Sequence, residues 1–459
     1  VGAVAAALLW SRISRPVMLL AVACWAVLIY DPLAVLAPGF WLSFGAVALL
    51  LYGLGGRLRV TGLWWQWGRM QWLLALGLAP LLLLFFGTAS LASPFANLVA
   101  VPWISLVVVP LTLAGAALLL LWPLGGSLLL RLAGELVDLL WPLLEGMAHA
   151  IPALSWPTPP LWVVASTLVA VALLLAPRGW PGRPLGLLWC LPLLLWQPPR
   201  PAPGEVWLTL LDVGQGLAVV VETREHLLVY DAGPPLGPEL DAGEAVVEPF
   251  LRHRGWREVD LLMLSHGDGD HTGGARSLAA SMPIRRVVAA APHRAAWVAS
   301  GQCRRGMAWE WDGVHFEVLH PAVGRERNDG SCVLRAVAGE GALLLTGDIE
   351  AEAEEELLAA GVPLRAQAVV VPHHGSKSSS TPAFVAAVRP EAALFSVGYR
   401  NRYRFPNAQV AARYAAAGAR HFETARDGAV TLRLQRDGNW QAEQWRERAA
   451  RYWTVRTGR

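Results

Sequence analysis

"LLMLSHGDGDHTGGA", residues 261–275, places two histidines and two aspartates within six positions directly after an apolar run. The apolar residues read as a buried strand, and Gly273 with Gly274 permits a tight turn into a helix. His266, Asp268, Asp270 and His271 occupy the loop between. Imidazole nitrogens and carboxylate oxygens at this density suit a borderline divalent cation, and the alternation holds several of them toward one point.

The β-rich pattern continues on both sides of that loop. "VWLTLLDVG", "LAVVVET", "HLLVYDAG", "VHFEVLH", "CVLRAV", "ALLLTGD", "AQAVVVPHH" and "AALFSVG" read as short strands, with helical stretches at 351–360 and 407–417. Asp231, His266, Asp348 and His373 stand at strand ends, where side chains of an α/β sheet converge on ligand sites. This predicts a metal-binding α/β domain over 205–459. Asp212, Gln215 and Asp231 are candidates to orient the metal ligands from behind.

The first two hundred residues obey a different solvent. The chain of 459 residues is 54% hydrophobic, with a mean hydropathy of +0.40, and the apolar residues concentrate at the front. Residues 1–200 hold nine arginines and four acids, against 29 basic and 31 acidic residues in the rest. The net charge of +3 therefore combines about +5 from the apolar part with about −2 from the polar part, and is no evidence for a general nucleic-acid-binding surface. The chain starts at Val1 without a recognisable signal peptide and reads as the C-terminal part of a longer protein.

Apolar runs at 17–30, 40–55, 71–86, 97–121, 128–150, 161–176 and 185–197 have lengths compatible with membrane spans. Arg12 and Arg15, then Arg57, Arg59 and Arg69, then Arg178 and Arg183 mark three links as cytoplasmic, and seven crossings then put everything after Arg200 on the opposite face. Arg131, Glu135, Asp138, Glu145 and His149 fall within roughly 80° of one helical face, lining either a bundle interior or an interface with lipid. Pro102 and Pro110 predict either a broken or re-entrant helix or a simple kink. "WQPPRPAPG", 196–204, is a stiff linker, giving boundaries of 1–197, 198–204 and 205–459. Cys303 and Cys332 would pair if folding joins them in an oxidising compartment.

These motifs carry a resemblance. "SHGDGDHTGG", "LLLTGD" and "VVVPHHGSKSS" are similar to the metal motifs of the metallo-β-lactamase fold, and together with "LDVGQG" and "DAG" they resemble the C-terminal domain of ComEC-type competence proteins. "DPLAVLAPGFWLSFGAVALL" and "SPFANLVAVPWISLVVVPL" are similar to that family's transmembrane competence domain. The resemblance implies a multi-pass α-helical membrane domain followed by an α/β metallo-β-lactamase-like αββα sandwich. It implies an inner-membrane DNA-uptake channel for natural transformation, whose extracytoplasmic domain hydrolyses the strand that is not transported. Its partners would be single- and double-stranded DNA, membrane lipid and other competence proteins.

Carried over residue by residue, Asp270, His271 and His373 or His374 would hold one ion, Asp348 would bridge, and His266 with Asp268 would hold a second. Asp268 stands where the wider fold has a second histidine, which makes the site harder and shifts the ion toward manganese or magnesium, with zinc the third candidate. "NDGSCVL" replaces a mid-domain histidine, leaving Asn328, Asp329 or Ser331 as weaker ligands and one or two ions as alternatives. Phe405 stands before Pro406 where the family often has a histidine. Phosphodiester hydrolysis is the reaction such a site suits, with Asp268 as proton acceptor and His374, Ser376 and Lys377 against the phosphate. Arg400, Arg402 and Arg404 alternate with Tyr399 and Tyr403, a mix suited to phosphate contact and base stacking. Two alternatives are a catalytically weak domain that guides DNA and a membrane-bound hydrolase of a lipid or wall phosphoester.

Overall fold

In a computed structural model the chain forms two compact units, Val1–Pro198 and Pro199–Arg459. The structure describes residues 16–54, 63–151, 153–177, 179–291, 300–321 and 327–451; Arg12, Arg15, Arg57, Arg59 and Arg178 lie outside them.

Each of the seven apolar runs of the first unit is helical. The helices are Pro16–Tyr30, Pro38–Leu54, Leu63–Phe86, Ser93–Leu119, Pro123–Ala150, Leu161–Leu174 and Leu185–Leu195. Among the described residues two stretches, Trp67–Phe86 and Ser93–Leu119, are long and apolar enough to cross a membrane. Strands β1 (Thr88–Ala89) and β2 (Leu154–Ser155) pair between them.

The proline-bearing run is not broken or re-entrant. Its prolines bracket a wide π-turn, Ile104–Val108, and the chain stays helical from Ser93 to Leu119. A proline removes one donor and crowds the preceding carbonyl, and a widened turn relieves that crowding without ending the helix. The hairpin that follows closes on glycine, since a Cβ on Gly126 would stand 2.8 Å from the Gly115 carbonyl oxygen. Arg69 and Arg183, which mark two of the arginine-bearing links, donate to the Gly53 and Leu174 carbonyls at helix C-terminal ends.

The second unit stacks four layers. One sheet has eight strands in the order β17-β16-β3-β4-β5-β6-β7-β8, namely Trp440–Gln444, Val430–Leu434, Val206–Leu210, Val219–Glu222, Leu227–Tyr230, Val259–Leu264, Ile284–Ala289 and Ser300–Gln302. The other has seven in the order β15-β14-β13-β12-β11-β10-β9, namely Arg420–Glu423, Ala392–Phe395, Ala368–Val370, Gly341–Leu345, Val333–Ala338, Val314–His320 and Ala308–Trp311. Alternation sorts the side chains: Leu343 and Leu345 of β12 enter the core between the sheets, while Leu344 enters a second core beneath the outer helices. Filling both faces with aliphatic side chains contributes roughly 1.5–3 kcal/mol for each one fully buried.

The strands read from the sequence are all present. Those at the edges, β7 to β9 and β15 to β17, were not among them. They are short or half exposed, and β16 is recruited by pairing with the distant β3. The pairings β5–β6 and β12–β13–β14 are parallel, so the ends of these strands open on one edge of each sheet.

Candidate metal centre

β6 delivers Ser265 and His266 to that edge, and Asp268 then begins the short helix Gly269–Thr272, which carries Asp270 and His271. The turn after it is squeezed against the loop that follows β5. A Cβ on Gly274 would sit 2.2 Å from the Gly243 nitrogen and 2.4 Å from the Ala232 carbonyl oxygen, so glycine is required for this approach. From the other sheet, β12 ends at Asp348 and β13 at the turn Pro372–Gly375.

These elements bring His266, His271 and Asp348 together, and likewise Asp270, His271 and His374, with the potential ligand atoms of each group within 4.8 Å of one another. His271 is the shared member. Its Nε2 lies 3.2 Å from Asp348 Oδ1 and 4.0 Å from Asp270 Oδ2, while His374 Nε2 lies 3.6 Å from a carboxylate oxygen of both. Burial works against charge on these groups and is outweighed. Asp348 and Asp231 hold the His271 pKa well above its usual value, and His271 with His374 hold Asp348 well below the usual carboxylate range.

Their other atoms are tied down from behind. Asp231 accepts from His271 Nδ1 at 2.7 Å and from the Ser265 backbone N–H and hydroxyl at 2.7 and 2.6 Å. The Ser396 carbonyl accepts from His374 Nδ1 at 2.8 Å. With Nδ1–H donated backward, each Nε2 is the nitrogen left facing the cluster, where a cation would take the place of the proton that the carboxylates favour on His271. The donor set fits a cation: His266 Nε2, His271 Nε2, Asp348 Oδ1 and His374 Nε2 are buried without a hydrogen-bond partner. Buried polar atoms are ordinarily paired, and unpaired ligand atoms gathered in two groups that share His271 are what a metal-binding cradle requires.

The two late histidines divide their roles in a way their order in sequence does not show. Of the two, either of which could hold the first ion, His374, also a candidate to contact the phosphate, joins the ligand group, whereas His373 stands aside with Nδ1 2.9 Å from Glu350 and Nε2 3.8 Å from Asp348. Both take positive φ, 48° and 55°, which turns successive side chains away from the alternation of a strand.

Asp268 is half exposed, 3.7 Å from His266 Nε2. Ser331, in the place of a mid-domain histidine, accepts from the Asp348 N–H at 3.1 Å. Asp329 accepts from the Glu350 and Ala353 N–H groups, and Asn328 donates to Glu350. None of these three belongs to a ligand group among the described residues. Of the supporting residues, Asp231 is where it was expected. Asp212 instead pairs with Arg446 and Gln215 receives the Gly398 N–H, both away from the ligands.

Ser376 shares a hydrogen bond with Ser378, which reaches Glu350, and Lys377 is exposed. Arg400, Arg402 and Tyr403 lie exposed on the loop after β14. Ser265, which bonds Asp231 and both ring systems, was missed; a small polar residue closing an apolar strand is its only local signal. Cys303 and Cys332 are joined in a disulfide, and Cys332 follows Ser331 beneath the site.

Comparison with known proteins follows the same division. The sequence profile of the Competence protein family matches residues 1–181, and that of the Metallo-beta-lactamase superfamily matches residues 211–399. Competence protein ComA of Neisseria gonorrhoeae is 36% identical over 420 residues, 90% of this chain and 58% of that protein. Uncharacterized protein YcaI of Escherichia coli (strain K12) is 33% identical over 93% of this chain and 57% of its own length. ComE operon protein 3 of Bacillus subtilis (strain 168) is 26% identical over 89% and 57%. The chain thus spans a little over half the length of these relatives.

Proposed function

The chain belongs to the competence protein family, and from that premise we propose that it takes DNA across the bacterial inner membrane during natural transformation. The helical unit serves as a multi-pass channel domain. The sandwich serves as an extracytoplasmic, metal-dependent phosphodiesterase that hydrolyses the strand left outside. Lipid surrounds the first unit, and other competence proteins deliver and pull the DNA.

The observation that carries the hydrolytic reading is the convergence of four buried, unpartnered ligand atoms. His266, Asp270, His271, Asp348 and His374 would hold the ion or ions, and three imidazoles with two carboxylates suit a divalent cation such as manganese, zinc or magnesium. A divalent cation there supplies a Lewis acid for a phosphoryl oxygen and acidifies water. Asp231 and the Ser396 carbonyl fix the histidine tautomers, and the half-exposed Asp268 accepts a proton at the open side. Ser376, Lys377, Arg400, Arg402 and Tyr403 contact the substrate from neighbouring turns. An extracytoplasmic sandwich is supported by seven helices ahead of it among the described residues and by the Cys303–Cys332 disulfide, since disulfides persist in oxidising compartments.

The test uses the full chain in lipid nanodiscs with labelled single- and double-stranded DNA and manganese, zinc or chelator, beside an Asp270→Ala, His271→Ala double variant. Metal-dependent cutting that the double variant loses is expected. Metal uptake without cutting would sink the hydrolytic reading in favour of a DNA-guiding domain, a reading to which Ser331 in the mid-domain position lends weight. Cutting of a lipid phosphoester, with transformation unimpaired in the variant strain, would replace both.

A further inference from the structure

The loop from Gly398 to Pro406 is built around one asparagine. Asn401 donates to the Gly398 and Phe405 carbonyls at 3.1 and 2.8 Å and accepts from the Phe405 N–H at 2.8 Å. The Asn407 N–H docks the loop's far end on the Gly375 carbonyl at 2.9 Å, against the turn that carries His374. Loop and ligand turn are thus one folded piece.

That piece holds a row of rings leading out from the ligand cluster. His374 and Phe405 lie 6.4 Å apart at 19°, and Phe405 and Tyr403 lie 5.5 Å apart at 19°. These are offset-stacked spacings. The row begins on a buried ligand histidine and ends on Tyr403, which is 51% exposed, while Tyr399 on the same loop is 62% exposed. Each tyrosine has its own arginine: Arg400 stands 5.2 Å from the Tyr399 ring centre and Arg402 4.7 Å from that of Tyr403. Arg400, Arg402, Arg404 and Lys377 have no carboxylate partner among the described residues, whereas Arg254, Arg285, Arg426, Arg433, Arg446 and Arg448 are paired.

We propose that this loop is a stacking shelf for single-stranded nucleic acid: Tyr403 takes an unpaired base, Phe405 extends the stack to His374, and the arginines, which no carboxylate neutralises, hold the backbone so that a phosphodiester reaches the ligand cluster. The proposal rests on the reading of that cluster as a DNA-handling site and adds what the site selects, namely unpaired bases. Every base has a π-face, so a ring stack with unpaired cations binds strands whatever their sequence, and a duplex with its bases already stacked gains nothing from the rings. Phe405 is therefore a positioning residue, acting through its neighbours on either side.

The experiment is fluorescence anisotropy of the full chain in nanodiscs, in chelator, with three labelled probes of equal length: oligothymidylate, an abasic strand of the same charge, and a duplex. Oligothymidylate is expected to bind more tightly than the abasic strand. Tyr403→Ala should weaken it roughly 5- to 100-fold while leaving the abasic strand unchanged, and Tyr403→Phe should restore it. Equal binding of oligothymidylate and the abasic strand, or indifference of both to Tyr403→Ala, overturns the proposal. A loop seated among lipid headgroups would give that second outcome. Because chelator removes cleavage from the readout, base-dependent binding by a protein that never cuts DNA leaves the shelf standing and removes only the hydrolytic reading.

Discussion

In the helical unit Leu106 is 73% exposed and Leu121 87%, whereas in the sandwich Leu208 is 1% exposed and Phe316 is fully buried. The same residue types face outward in one part of the chain and inward in the other. Burial against protein stabilises the sandwich, because water is its surroundings. Outward-facing leucine along several helices is unfavourable in water and suits apolar surroundings, which agrees with the membrane localisation that the competence family suggests. Polar groups set the units apart in another way. The sandwich buries Asp231 and Glu354 by partnering them, while Arg131, Glu135 and His149 of the first unit lie exposed along the polar face of their helix.

The contrast is easiest to break in the sandwich. Gly243→Ala would push a Cβ to 1.9 Å from the Gly274 carbonyl oxygen, backbone against backbone, and we expect a loss of about 4 kcal/mol or more. Circular dichroism should show the β signal lost while the helices persist. A variant that melts like the parent would show that the two loops can part.

Leu106→Arg probes the other side. On a lipid-facing helix it should cost about 3 kcal/mol of insertion, read with a topology reporter, whereas on a water-facing helix it would change stability by less than about 0.5 kcal/mol. A silent substitution would end the claim that the two units have different solvents.

Glu354 sharpens the polar side of the contrast. Its carboxylate accepts the Ser380 and Thr381 N–H groups, yet burial pushes its pKa from an ordinary 4.5 up to about 7. The folded chain therefore holds a proton that the unfolded chain has released between about pH 4.5 and 7, so this group's contribution falls as pH rises through that window. Glu354→Gln should be least stable relative to the parent near pH 5 and recover roughly 2 to 3 kcal/mol of that deficit by pH 8, by thermal melting. An unchanged gap would refute the shift.

Gly134→Ala should have the smallest effect. Nothing lies within 4 Å of the added methyl, and alanine in a helix interior is better than glycine by up to about 1 kcal/mol. A loss of stability instead would mean that this face of Pro123–Ala150 meets another helix.

Much of this architecture is legible in the sequence wherever the signal is local. The helices of the first unit follow from run length, and the cluster at 266–271 from four potential ligands in six residues. What stays hidden depends on partners far along the chain. Glu354 sits in "EAEAEEELL", which reads as a solvated acidic face until Ser380 and Thr381 fold over it. The division between His373 and His374 lies in two backbone angles that residue identity does not encode. Ser331 looks like an ordinary loop serine until its hydroxyl meets the Asp348 N–H. Asp231 could be found because a carboxylate closing one strand faces the neighbouring strand's end, whereas Asp212 and the amide of Gln215, which also follow a strand, turn elsewhere.

The wide turn at Ile104–Val108 makes Ser93–Leu119 sensitive to residue count as well as residue type. Removing one residue there would restore an ordinary turn and, because the five residues of the wide turn cover about the rotation of four ordinary ones, would leave Val109 onward facing as before. Removing one residue between Val109 and Gly115 meets no such slack and would rotate Gly115 by about 100° off the face that admits Gly126. A single-codon deletion is thus absorbed at one place in this helix and misaligns the hairpin's glycine contact when it falls a turn later, although the composition of the helix is nearly the same in both.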